Sequence, residues 1–287
     1  MLWRDGALHT GTNAPLDHTD RGLTLGDGLF DTALALGGRV AFEDAHIGRL
    51  VASAETLGIP AEPERLRAAM RALAGQGTGT ADRLAIRTTL TRGSGPRGLK
   101  PPEDPRPTLF ATAAPSAKSV SFAPLRLWPT AIARNDTSPA ARLKTLGYLD
   151  AVLAAREAAA AGFDEALFRN TRGHVACAGT GNCFAVFGAT LVTPPLTDGV
   201  LAGIVRAAVL GLAAGCGLRA EERSLSLPDL LGAEAVFVTN SLRLLAPVTA
   251  IGDTAFRSAV HPAVVRLAAA LKTAVARACG VAEEDVA

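Results

Sequence analysis

The residue in this chain whose type and setting most suggest chemistry is Lys144. Lysine is rare here: Lys100, Lys118, Lys144 and Lys272 stand alone among 29 basic side chains. Lys144 lies in Ala141-Arg142-Leu143-Lys144-Thr145-Leu146, between a polar loop over 135–140 and an alanine-rich stretch that predicts a helix from about Leu146 to Ala161. Burial and the positive end of a helix both favour the neutral amine over the ammonium. A lysine so tuned attacks carbonyl carbon. The same local sequence also suits a lysine whose stem packs on apolar surface while its head reaches water.

Other constellations fit an anionic ligand. Asp198-Gly199-Val200-Leu201-Ala202-Gly203-Ile204-Val205-Arg206 reads as a glycine-containing turn opening a helix, whose first backbone N–H groups are a natural phosphate seat. Thr239-Asn240-Ser241, at the end of a late strand, offers hydroxyls and amides to the same kind of group. Arg49 on an amphipathic helix adds a fixed charge for a phosphate dianion, and Arg92-Gly93-Ser94-Gly95-Pro96-Arg97-Gly98 supplies arginines suited to bidentate capture of a carboxylate. Each has a plainer reading as a flexed helix start, a solvated face or a loose surface turn. Together, a lysine, a phosphate seat and a carboxylate trap describe one reaction.

The elements that must position these residues follow from the pattern. Asp5-Gly6 suits the positive-φ turn of a hairpin, and Leu29 to Leu36 alternates up to a second turn at Gly37-Gly38. Ile47, Leu50, Val51, Ala54 and Leu57 recur at helical spacing within Asp44–Leu57, with Gly58 as stop signal. Pro63–Ala74 reads as a helix, and Leu84–Leu90 and Thr108–Ala113 as strands. Beyond a polar break, Val120–Leu127, Asp164–Phe168, His174–Ala178, Cys183–Val192 (folded about Gly188) and Ala235–Thr239 read as strands, and Gly203–Ala214 as a helix. Strands and helices mix without strict βαβ alternation, which predicts an α+β protein of two domains. The expected division is 1–114, a linker over 115–120, and 121–287 carrying the lysine.

Composition narrows the partner. The 287 residues are 48% apolar, ample for a sizeable core, and the net charge of +2 leaves no basic stripe for nucleic acid or an anionic membrane. The apolar run from Leu201 to Leu218 is interrupted by Arg206 and falls short of the ~20 residues that a bilayer span needs. No secretory signal is visible at Met1-Leu2-Trp3-Arg4-Asp5-Gly6, so a cytoplasmic location is expected. Cys177, Cys183, Cys216 and Cys279 show no metal spacing and are expected to be reduced thiols.

The order of motifs resembles the class IV pyridoxal-phosphate aminotransferases, a family that includes branched-chain and D-amino acid aminotransferases and 4-amino-4-deoxychorismate lyase. The resemblance runs through Asp20-Arg21-Gly22, Gly26 to Phe30, His46 to Leu50, Arg92 to Gly98, Lys144 to Leu149, Asp164 to Leu167, Gly203 to Arg206 and Thr239 to Val248. It implies the two-domain fold of type IV pyridoxal-phosphate enzymes: a small N-terminal α/β domain, a larger barrel-like C-terminal domain, and the cofactor between them. It implies that Lys144 holds pyridoxal phosphate as a Schiff base and that Arg49 binds its phosphate, with backbone N–H groups of Ile204 and Val205 and with Asn240 and Ser241. It also implies that Arg97 binds the substrate carboxylate from the neighbouring subunit of a homodimer.

Three positions depart from the family pattern. Cys177 stands where relatives carry the glutamate that keeps the pyridine nitrogen protonated, which a neutral thiol cannot do by charge. Phe30 replaces the tyrosine of the D-amino acid enzymes, and Val205 replaces a common threonine. The leading expectation is an aminotransferase acting on a small amino acid and a 2-oxo acid, with Lys144 as nucleophile and general base. Two alternatives remain open: the lyase, which releases p-aminobenzoate and pyruvate, and a non-catalytic relative that keeps only the fold.

Overall fold

A computed structural model describes residues 1–76 and 83–287. It is an α+β chain whose contacts separate two compact units. The first comprises Met1–Lys118, Leu143–Gly147 and Val275–Val286, and the second Ser119–Arg142, Tyr148–Ala274 and Ala287.

In the first unit, β1 (Leu2–Arg4), β2 (Ala7–His9), β3 (Gly28–Leu36), β4 (Arg39–Val40), β5 (Arg83–Thr91) and β6 (Thr108–Pro115) form one sheet among the described residues. Its order is β2-β1-β6-β5-β3-β4. Both hairpin turns lie where the glycines place them: Asp5 and Gly6 take φ of 51° and 87°, and Gly37 and Gly38 take 55° and 76°. These are the conformations a two-residue turn needs to match the strand twist. The helices α2 (Glu43–Leu57) and α3 (Pro63–Ala74) follow the sequence reading closely, while α1 (Arg21–Leu25) has no counterpart in it.

Strand periodicity then decides which side chains share a face. Leu29, Ala33 and Ala35 of β3, with Leu84, Ile86 and Leu90 of β5, join Leu50, Ala54, Leu66, Met70 and Leu73 of α2 and α3 in one buried cluster. Asp31 has the parity of the helix-facing residues. Phe30 and Arg87 have the opposite parity and stand on the other face of the sheet.

The second unit holds β7 (Leu125–Pro129), β8 (Glu165–Arg169), β9 (Val175–Ala178), β10 (Asn182–Phe187), β11 (Thr190–Thr193), β12 (Arg219–Glu222), β13 (Ala235–Asn240), β14 (Leu244–Ile251) and β15 (Thr254–Ala255). The strands run in the order β12-β11-β10-β13-β14-β7-β8-β9, with β15 on β14 and β9 also touching β10. Packed with them are α4 (Leu149–Ala160), α5 (Ile204–Leu212) and α6 (Leu227–Leu231), and α7 (Pro262–Cys279) follows.

Two readings need correction. The strand expected over 120–127 begins only at Leu125, because Lys118–Val120 forms a 3-10 turn and Phe122 takes a φ of 57°. The helix expected from Leu146 begins at Leu149. Lys144 is therefore five residues short of that helix and outside the reach of its end charge, which fades within one turn. Its segment does something else: Thr145 bridges Leu29, the Phe30 N–H donates to the Lys144 carbonyl at 2.9 Å, and the Leu146 N–H donates to the Gly28 carbonyl at 3.1 Å. Leu143 packs on the first unit's cluster, so the lysine belongs by contacts to that unit and not to the C-terminal one.

Candidate active site

In the first unit the chemistry gathers on the sheet face opposite the helices. Lys144 Nζ lies 4.5 Å from the centre of the Phe30 ring, and the Arg87 guanidinium carbon lies 3.5 Å from the same centre. Phe30 is buried, Lys144 half-buried and Arg87 exposed. The electron-rich phenyl ring of Phe30 thus contacts two cations. Gly28 makes the close approach possible, since a Cβ there would lie 2.8 Å from the Leu90 carbonyl oxygen and 2.9 Å from Leu146 Cδ1. Sequence reading passed over Arg87, because its partner Phe30 is brought to it only by β3–β5 pairing.

Arg49 is held on the helix side. Asp31, 1% exposed, accepts from Arg49 Nε and Nη2, both at 2.9 Å, and lies 2.6 Å from His46 Nδ1. Burial alone would push the Asp31 carboxyl up, but His46 and Arg49 together hold it below the usual carboxylate range. The arginine side chain is 11% exposed, so its orientation is fixed by a buried acid and not by solvent. Arg97, by contrast, is exposed on its loop.

In the second unit, α5 starts at Ile204 with Gly203 as N-cap and no side chain capping it. Gly203 packs against Asn182, whose Oδ1 would lie 1.9 Å from a Cβ at 203, while Asn182 Nδ2 donates to the Leu201 carbonyl at 2.9 Å. Thr239 is the register partner of Asn182 and carries a buried hydroxyl with no hydrogen-bond partner among the described residues. Uncapped helix donors beside an orphaned buried hydroxyl are what a phosphate group would satisfy, so these residues fit the phosphate of pyridoxal phosphate.

The Asn240 side chain is engaged within its own turn. Its Oδ1 accepts from the Leu242 and Arg243 N–H groups and its Nδ2 donates to Thr180 Oγ1 at 3.2 Å, so its side chain holds the turn that presents Ser241. Thr180 in turn donates its N–H and, at 2.9 Å, its hydroxyl to Glu165 Oε1. Glu165, which the sequence presented only as the start of a strand, is buried, and burial raises its pKa above the usual carboxylate range despite the Thr180 bonds and nearby Arg243. A carboxyl raised in the folded state adds stability at low pH that is lost as pH rises through its folded pKa. The stability of the protein relative to Glu165→Gln is therefore expected to fall as pH rises above the ordinary carboxylate range, as pH-dependent thermal melts would show.

Cys177 lies on β9, 8% exposed. Burial pushes its thiol up, with Arg134 opposing and Glu165 reinforcing the shift, and Cys183 beside it is pushed up to about 12. Cys177 is a neutral thiol at ordinary pH.

Comparison with known proteins gives the family. Residues 28–251 match the amino-transferase class IV family. A protein of Methanocaldococcus jannaschii assigned as a branched-chain-amino-acid aminotransferase is 33% identical over 254 residues, 86% of each chain. The aminodeoxychorismate lyase of Vibrio harveyi is 30% identical over 258 residues, 88% of this chain and 91% of that one. The crystal structure of the branched-chain aminotransferase of Thermoproteus uzoniensis with norvaline superposes with a TM-score of 0.86 at 26% identity, over 99% of this chain and 96% of that one. No helix among the described residues is long and apolar enough to cross a membrane.

Proposed function

The chain belongs to the class IV aminotransferases, enzymes that depend on pyridoxal phosphate, and from that premise we propose that it moves an amino group between a small amino acid and a 2-oxo acid. The observation that carries this reading is the pair of cations on Phe30. An amino acid presents an amine and a carboxylate a few bonds apart, and Lys144 and Arg87 offer a nucleophilic amine and a carboxylate-binding guanidinium on one ring.

Pyridoxal phosphate, when bound, supplies the carbonyl that takes up the amino group and the conjugated ring that draws electrons from the substrate Cα. Lys144 would hold the cofactor through Nζ and would move the substrate Cα proton with the same atom. Arg49, the Ile204 and Val205 N–H groups, Thr239 and Ser241 bind the phosphate. Arg97 on its exposed loop is a second carboxylate ligand, presented in a homodimer whose mass sedimentation would measure, and the enzyme works in the cytoplasm.

Cys177 would be the residue beside the pyridine nitrogen in this reading and would bring no charge there. Cys177→Glu is expected to raise turnover several-fold, helped by the nearby Arg134 cation; an equal or lower rate with cofactor bound would show that another group serves the nitrogen. The overall reading is tested by half-reactions with D-alanine, D-glutamate, L-leucine and L-glutamate, followed as loss of the cofactor's visible absorbance. One of them should bleach it and yield a 2-oxo acid. The 30% identity to a lyase and the Thr239-Asn240-Ser241 turn favour a second reading. Aminodeoxychorismate converted rapidly to p-aminobenzoate, with no 2-oxo acid acceptor present, would replace the first reading by it.

A further inference from the structure

The Asp20-Arg21-Gly22 motif has no part in the reaction as described, yet Arg21 is among the most heavily bonded buried cations of the first unit. Its side chain is 4% exposed. Nε donates to Asp27 Oδ2 at 2.8 Å, Nη1 to the Gly98 carbonyl at 3.0 Å and to the Lys100 carbonyl at 3.5 Å, and Nη2 to the Leu99 carbonyl at 3.0 Å. One guanidinium therefore engages three consecutive carbonyls, directly after Arg97.

The rest of the surroundings fix the guanidinium itself. Arg92 shares Asp27 Oδ2 and donates to the Leu57 and Gly58 carbonyls, which pins Asp27 between two arginines. Asp20 caps α1 through the Gly22 N–H and accepts from the hydroxyls of Thr91 and Thr108, and the Arg21 N–H donates to the Gly93 carbonyl. Gly95 lies against the arginine stem, where a Cβ would be 3.2 Å from Arg21 Cδ. By composition the 92–98 segment reads as a loose turn, but in the fold it is a strap tied to a buried fork.

We propose that Arg21 is a positioning residue that holds the 94–100 loop in a single conformation and so sets the direction in which Arg97 meets a carboxylate-bearing substrate. The proposal rests on the carboxylate reading of Arg97 given above. Planarity is what the task requires: a guanidinium donates in a fixed fork in several directions at once, whereas an ammonium is a compact charge that can keep Asp27 but not span three carbonyls. A loop released from the fork still carries Arg97, but in many orientations, so substrate capture weakens while the chemistry at Lys144 is untouched.

The test uses the cofactor-loaded enzyme with Arg21→Lys, which keeps the charge beside Asp27, and Arg21→Met as the harsher variant. Expected for Arg21→Lys is faster amide hydrogen exchange confined to residues 94–100 and a KM for the amino-acid substrate raised by roughly 10- to 100-fold, with kcat within about threefold. Arg97→Ala should raise KM similarly, and Arg21→Lys added to Arg97→Ala should raise it no further. Unchanged exchange of the loop in Arg21→Lys overturns the inference whatever Arg97 does. A KM indifferent to Arg97→Ala overturns the reading of Arg97 and the consequence drawn from it, and a fully additive double variant shows that Arg21 does not act through Arg97.

Discussion

Lys144→Ala is expected to lower turnover by at least ~10³-fold, because in the proposed reading one side chain serves as both the covalent attachment of the cofactor and the base that moves the substrate proton. The fold should survive the change. The 143–147 segment is held by main-chain bonds, from the Phe30 N–H to the Lys144 carbonyl and from the Leu146 N–H to the Gly28 carbonyl, and neither uses the side chain. Among what the variant loses is the contact of Nζ with the Phe30 ring, on the order of 0.5–1 kcal/mol. Circular dichroism and melting temperature should therefore stay close to wild type. Borohydride reduction followed by intact-mass measurement should show cofactor fixed covalently to the wild-type chain and none fixed to the variant. Covalent cofactor retained on the alanine variant, or activity within tenfold of wild type, would move the role to another residue.

The largest stability loss is expected for Asp31→Asn. The carboxylate is buried and faces Arg49 through two bonds and His46 through one, so removing its charge strands the Arg49 cation in a low-dielectric interior. Breaking a buried ion pair in this way costs about 3–5 kcal/mol, which for a chain of this size lowers the melting temperature by roughly 10 °C. The sign of the pH dependence follows from the direction of the shift. A carboxyl held below its ordinary range contributes stability that is complete above that range and is lost as pH falls through its folded value. The gap between wild type and Asp31→Asn should therefore be widest near neutrality and narrow below about pH 4. Equal melting temperatures at pH 7 would mean that the triad does not stabilise the fold. Because Asp31 also orients Arg49, affinity for pyridoxal phosphate is expected to fall in the variant more than affinity for pyridoxal, which has no phosphate to bind.

The two outcomes depend on parts of the molecule that were unequally legible in the sequence. The residues of α2 and α3 declare themselves by apolar spacing, and the hairpins by Asp5-Gly6 and Gly37-Gly38, because both signals rest on neighbours within a few positions. The turn into α5 is legible for the same reason: Gly199 and Gly203 mark a helix start, and uncapped N–H groups follow from helix geometry whatever surrounds them. Lys144 was found by its rarity and its apolar neighbours, but the reason offered for its setting was incomplete. The helix supposed to begin beside it begins at Leu149, and the segment is instead tied to β3.

Local sequence therefore determined the α+β class, most of the elements of the first unit, the lysine and the glycine turn into α5. Tertiary structure alone decided which charges meet. Asp31 is 15 residues from His46, Glu165 is 15 from Thr180, and Arg21 is 77 from the Gly98 carbonyl that it binds. Strand pairing and the period-two alternation of β3 turn Phe30 toward Arg87 and Lys144 and turn Asp31, its neighbour in the chain, toward Arg49. Short-range pattern fixes what a segment becomes, while the partner of a buried charge is set by packing between segments far apart in the chain, and no spacing rule within one segment can carry that information.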